Sequence, residues 1–247
     1  MNARILRPVG VALLMFSGLG LLAADKDKAP SQDVDSGTFG VFMNGHRVAT
    51  ETFSIHQNSS GSSITSDFKT EQGTDQAAQS SELQLSPTGE LRKYEWKETL
   101  PEKIQAVVLP SENFLIEKIT TNPGEKPQEQ PFLLPSSTSI LDDYFFVQRE
   151  VLTWKYLATD CRSQHGRLEC PKGQRTQFGT LNPHSRASMS ATMEFAGVEK
   201  VPIRGVEQEL SRFELKSDAG DWTLWTNPQF KLIRIVVASD GTEVVRD

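Results

Sequence analysis

No apolar run in this 247-residue chain reaches the roughly 20 residues that a membrane-spanning helix takes. No cluster of five Lys or Arg occurs either, which argues against a polybasic membrane patch and against nucleic acid as partner. Histidine is scarce, at four, and cysteine scarcer, at two. There is no Gly-x-Ser-x-Gly elbow, no His-Glu-x-x-His and no Cys-x-x-Cys, so the common signatures of hydrolases, zinc proteases and thiol oxidoreductases are missing. Gly37 and Gly40 do not form a phosphate loop.

What is present begins with residues 1–24. Arg4 and Arg7 precede the uncharged run Val9 to Leu22, and Ala23-Ala24 precedes the charged stretch Asp25 to Lys28. That is the pattern of a secretory signal peptide. No cysteine follows the apolar run, so a lipid-anchored leader is not expected. The chain is predicted to be exported, to a periplasm or outside the cell, with no transmembrane anchor after cleavage. Removing Arg4 and Arg7 leaves 24 basic against 32 acidic residues, a net charge of −8. Such a chain repels nucleic acid.

In an exported protein Cys161 and Cys170 read as a disulfide. The sharper alternative is a metal site that adds His165, but the spacing fits no common zinc pattern and a fourth ligand is not evident. A reactive thiol pair is the third reading.

Residues 25–36 are polar and read as a disordered lead-in to one domain over 37–247. A meander is predicted over 37–121. Asn44-Gly45 marks a tight hairpin, and Ala49, Glu51, Phe53 and Ile55 share one face of its return strand. Ile64, Ser66 and Phe68 alternate next, and Tyr94 shares a face with Trp96. The proline-rich stretch 122–135 reads as a linker. A helix is predicted over 139–158, capped by Ser139 with Asp142 three residues on. Its apolar stripe is Ile140, Tyr144, Val147, Val151, Trp154 and Ala158. A cysteine loop over 159–175 follows, then strands over 188–247, in which Trp222 and Leu224 lie opposite Trp225.

The expected fold is mainly β with one central helix: a curved antiparallel sheet or half-barrel of roughly ten strands wrapped around an amphipathic helix. The Phe42-Met43-Asn44-Gly45 hairpin, the run Ser136 to Asp143 and the hairpin Trp222-Thr-Leu-Trp225 to Lys231-Leu-Ile-Arg-Ile235 resemble uncharacterised bacterial envelope proteins of the LolA/LolB-like lipoprotein-carrier half-barrel family. The resemblance lies in pattern over most of 37–247. It implies a concave apolar cavity that holds acyl chains. The Cys-x8-Cys loop departs from the family, and no ligand-contacting residue carries over.

No catalytic, cofactor-binding or metal residue is predicted, and no cofactor. His46, His56, His165 and His184 read as surface or structural, and Asp142-Asp143 as acids at a helix N-terminus. Asn58-Ser59-Ser60 fits the N-glycosylation pattern. Residues expected to line a ligand cavity are Phe53 and Ile55 on the early hairpin, and Tyr144, Val147, Val151 and Trp154 on the helix. Met189, Met193 and Phe195, with Trp222 and Trp225, are expected to line it from the later strands. The first functional expectation is a non-catalytic binding module for a lipid or other hydrophobic small molecule. The second is an interaction protein that docks an envelope protein through a sheet edge or apolar patch. The third is a hydrolase with a dispersed site.

Overall fold

The computed structural model describes residues 31–71, 76–122, 124–164 and 167–247. The expected signal peptide, residues 25–30 of the lead-in and His165 lie outside them. Among the described residues are seventeen strands and one helix. The first eight are β1 (Gln32–Met43), β2 (His46–Asn58), β3 (Gly61–Thr70), β4 (Ala78–Leu85), β5 (Leu91–Leu100), β6 (Ile104–Ser111), β7 (Phe114–Thr120) and β8 (Gln128–Phe132). Then come β9 (Ser139–Ile140), the helix α1 (Val147–Asp160), β10 (Arg162–Gln164) and β11 (Arg167–Glu169). The last six are β12 (Arg175–Asn182), β13 (Ala187–Ile203), β14 (Val206–Ser217), β15 (Gly220–Thr226), β16 (Leu232–Val237) and β17 (Glu243–Arg246).

Fifteen strands form one sheet, in the order β8 to β1 followed by β17 to β12 and then β9. All its ladders are antiparallel except β9 on β12. Laid flat, fifteen strands at about 4.8 Å spacing would stretch over roughly 67 Å. The two edge strands, β8 and β9, are joined by residues 133–138, which reach at most about 25 Å. The sheet must therefore curl until its edges approach. Ser136 in that link accepts the Leu91 amide of β5 at 2.7 Å, across the interior end of the roll. The result is a barrel-like shell with α1 on its concave side.

The expected count of about ten strands is too low. β8 sits inside the expected linker, and β12 precedes the expected start of the C-terminal strands; both are polar, without clean alternation. β1 also begins at Gln32, inside the expected lead-in, because its first residues pair with β2. The faces read from period two hold. Ala49, Glu51, Phe53 and Ile55 are all buried inward, as are Ile64, Ser66 and Phe68. Asn44 and Gly45 both have positive φ, as a type I′ turn requires.

The core is the concave face plus the helix. Phe39, Tyr94, Phe145, Tyr156, Phe213 and Leu224 are among its fully buried side chains, and Phe39 stacks on Phe53 at 4.8 Å. Each such side chain stabilises the fold by roughly 1.5–3 kcal/mol. A second, smaller cluster joins Val201, Ile203, Leu210, Trp225 and Val245. Leu224 and Val244 belong to the main core while their neighbours Trp225 and Val245 do not, so this cluster lies on the convex face. The ladder shift between Phe195 and Gly197 turns the tip of the β13–β14 hairpin towards it.

Cys161 closes α1, and its sulfur is bonded to Cys170 at 2.08 Å across the small β10–β11 hairpin. Replacing both cysteines by serine is expected to lower stability by roughly 2.5–3 kcal/mol, from the loop-entropy relation for so short a loop. For a chain of this size that is a fall of roughly 6–10 °C in Tm. A melt that does not differ from wild type under oxidising conditions would show that the loop is held without the bond.

Candidate functional site

A cleft of about 320 Å³ opens between α1 and the inner faces of β2, β3 and β4. Its floor is Ile55, Ile64, Leu83 and Leu85; its wall is Val151, Leu152 and Trp154 of α1; the turn Ser86 to Gly89 and residues 138–140 rim it. The apolar floor follows from alternation in three neighbouring strands, which puts Ile55, Ile64 and Leu83 side by side in one register row. Trp154 is held against the opposite rim by its indole N–H, which donates to the Phe230 carbonyl at 2.7 Å.

The wall stays in place because the first turn of α1 is anchored by buried charges. A helix leaves its first N–H groups without intrahelical partners. Here they are met from β2: Glu51 accepts the Phe146 amide at 2.8 Å and the Val147 amide at 3.3 Å, and also the Ser66 hydroxyl at 2.7 Å. Burial pushes the Glu51 carboxyl up to about 7, against the pull of those hydrogen bonds and of Arg149. Arg149 is itself buried, donates to the Asp142 and Phe145 carbonyls, and lies over the Trp222 ring at 4.4 Å. One turn of sheet away, Glu150 accepts the Leu232 amide at 2.8 Å and faces Asp35. Burial and the neighbouring Asp35 raise Glu150 well above the usual carboxylate range. Asp35 is held below it by Arg246 and Lys231, which donate to it at 2.7 and 2.8 Å and overcome the opposing burial.

Before the helix, Asp142 is fully buried and accepts the Tyr94 hydroxyl and His184 Nδ1–H, each at 2.6 Å. Gln79 donates its amide N–H to Glu98, which turns its oxygen to His184 Nε2 at 2.7 Å. His184 thus has a hydrogen-bond partner at each ring nitrogen, and the ring stacks on Trp96 at 3.9 Å. With both ring nitrogens engaged, the Asp142–His184 pair ties the strands to the 182–186 turn. Near it, Glu117 faces inward on β7 with both carboxylate oxygens unpartnered, and burial pushes it up to about 7.

Among solved structures the chain resembles a β-barrel-like protein of the domain of unknown function DUF1849 from Brucella abortus. The match covers 89% of this chain and 95% of that one, with a TM-score of 0.55 at 9% sequence identity. No family model and no curated protein matches the chain. The likeness is one of fold: a mainly-β, barrel-like shell. It does not single out lipoprotein carriers.

Of the eleven residues expected to line a cavity, the structure brings Ile55, Val151 and Trp154 together in the cleft. Phe53, Val147 and Met193 are instead fully packed core. Tyr144, Phe195 and Trp222 are half-buried against that core elsewhere, and Met189 is half-buried near the start of β13. Trp225 is on the convex face, its indole N–H bonded to Glu199 at 2.7 Å. The helix begins at Val147, not Ser139. Ser139 lies in β9, and its hydroxyl accepts from Lys155 at 3.1 Å in place of capping a helix. Asp142 precedes the helix and accepts the Tyr144 amide at 3.1 Å. Sequence reasoning missed Thr138, Gln148 and Lys155, three polar residues of the cleft. Gln148 and Lys155 share the spacing of Val151 and could have been placed beside it by the helical period; Thr138 left no signal.

Proposed function

We propose that this chain is a non-catalytic binding module of the cell envelope that holds an apolar small molecule in the α1 cleft. The observation that carries the reading is the cleft itself. This region is open, apolar-lined and within the size range of ligand sites, beside a core of large, fully buried side chains. The barrel-like fold of the neighbour is compatible with such a role, and the Cys161–Cys170 bond suits an oxidising compartment.

The test is titration with an apolar dye whose fluorescence rises on leaving water. Wild type is expected to bind it saturably. Val151→Phe, which adds bulk to the wall, is expected to weaken binding at least tenfold while a cooperative melt is retained. Equal binding by the folded variant would place the dye elsewhere and remove this reading.

One observation favours a second reading, docking of an envelope protein by strand addition. β8 ends the sheet with one side of its ladder unpaired among the described residues, and the next residue, Leu133, is 79% exposed. Pro131 in β8 removes one donor from that strand, which weakens it as a template.

A further inference from the structure

Lys155 is the one cation among the described residues that line the cleft. Gln148 is 2% exposed; its amide oxygen accepts the Asp142 amide, and its head is turned to the buried Tyr94 hydroxyl. Thr138 is 4% exposed and its hydroxyl oxygen is enclosed, so that oxygen does not reach the open cleft. Lys155 donates to the Ser137 carbonyl and the Ser139 hydroxyl, so one of the three ammonium protons is left over. A donor left without an acceptor beside an apolar site is costly, so the spare ammonium proton favours an acceptor on the ligand. Lys155 makes no salt bridge among the described residues; burial lowers its pKa, opposed by the charge of Glu90. None of the described residues that line the cleft is acidic.

The arrangement has a direction. Gln148 and Lys155 are seven residues apart on α1, about 10 Å along its axis. Gln148 is at the enclosed end; Lys155 is half-buried, one turn from exposed Ala158. Lys155 Nζ meets the Ser139 hydroxyl at 3.1 Å, so the ammonium sits at the rim formed by residues 138–140. Between the two ends lie Ile64, Leu83, Val151 and Leu152. At the roughly 30 Å³ that a water-sized group occupies in a liquid, 320 Å³ takes on the order of ten carbon and oxygen atoms. That is one chain with its head group, not the several chains of a lipid anchor.

We infer that the ligand is a single-chain amphiphilic anion, its oxyanion held at the mouth by Lys155 and its hydrocarbon chain lying along Ile64, Leu83 and Val151. The inference rests on the proposed binding role of the cleft and names the class of molecule it takes. A carboxylate and a phosphate monoester share the chemistry that the mouth recognises.

The experiment is displacement of the apolar dye by decanoate, decyl phosphate, decanol and decyltrimethylammonium, with wild type, Lys155→Met and Lys155→Arg. The two anions are expected to compete at least tenfold better than decanol, and the cation worst; the tighter of the two anions identifies the head group. Lys155→Met is expected to bring the anions within twofold of decanol without weakening decanol itself. Lys155→Arg keeps the charge and is expected to keep the anion preference, which separates loss of charge from loss of fold. If decanol competes as well as the anions in wild type, or Lys155→Met leaves the anion preference intact, the head-group assignment is wrong and the apolar cleft stands. If the dye itself fails to bind, the proposed function falls with it.

Discussion

Glu51→Ala is expected to lower the free energy of unfolding by roughly 3–5 kcal/mol, the range seen when one partner of a buried charged network is removed. The truncation strips acceptors from two buried backbone N–H groups, Phe146 and Val147, and from the Ser66 hydroxyl. Each donor left buried without an acceptor costs about 1–3 kcal/mol. It also removes the carboxylate whose charge acts on buried Arg149. Glu51→Gln keeps the volume and one acceptor oxygen and should lose about half as much. Urea unfolding at one fixed pH reads the difference, and Tm should fall by roughly 10–15 °C for the alanine variant. Because α1 is the wall of the cleft, the alanine variant should also bind the dye more weakly at temperatures where it is still folded. An alanine variant within 1 kcal/mol of wild type would mean that the helix is not seated on this residue.

Stability is expected to fall as pH rises from about 4.5 to 7. Glu51 and Glu117 both ionise near 7 in the folded chain and at the ordinary 4.5 in the unfolded one. Across that window the folded form therefore holds more protons, and linkage makes stability decline with pH. The contribution is fully present below 4.5 and gone above 7; two such groups give an upper figure of roughly 3 kcal/mol each. Glu150, raised further by burial and by Asp35, extends the decline above neutrality. Asp35 works in the opposite sense at the acid end: its carboxyl is lowered to about 2, so its contribution is lost as pH falls below 3.8. The maximum should therefore lie near pH 4–5. The urea midpoint measured against pH in wild type and in Glu117→Gln decides the matter. The glutamine variant should show a shallower slope between pH 5 and 7, and an unchanged slope would remove Glu117 from the account.

The strand faces were legible because each depends on its own period-two pattern: Ala49 to Ile55 and the reversal between Leu224 and Trp225 needed no knowledge of neighbours. The start of α1 was not. Ile140 and Tyr144 fall on the helical period by coincidence of spacing, although residues 139–146 are strand and turn. The group that caps the helix lies on β2, 95 residues before Phe146, and no local pattern can announce it. Asp142 had the sequence context of a first-turn acid, yet it serves Tyr94 and His184, which come from distant parts of the sheet. β12 and β8 escaped notice because pairing, not side-chain alternation, makes them strands. Of the candidate site, the apolar half was visible as alternation and as a helix stripe. Its polar half was invisible, because Lys155 gains its meaning only where Ser137 and Ser139, on and after the link between the sheet edges, meet it at the mouth.

Because β1 lies beside β17 while β8 and β9 end the sheet, all but two ladders join strands that follow one another along the chain. The first eight strands can thus zip up from local hairpins, each a microsecond event, before the second half has been synthesised. The helix then lands on their concave side, and β12 to β17 wrap around it by the same local steps. The late event is the docking of β17 on β1, where Phe39 meets Arg246 along a ladder of four residue pairs. Such remote pairing is the slow kind. A nascent chain that stops short of Glu243 carries both arms and the helix but not the seam between them, so commitment to the native state waits on β17.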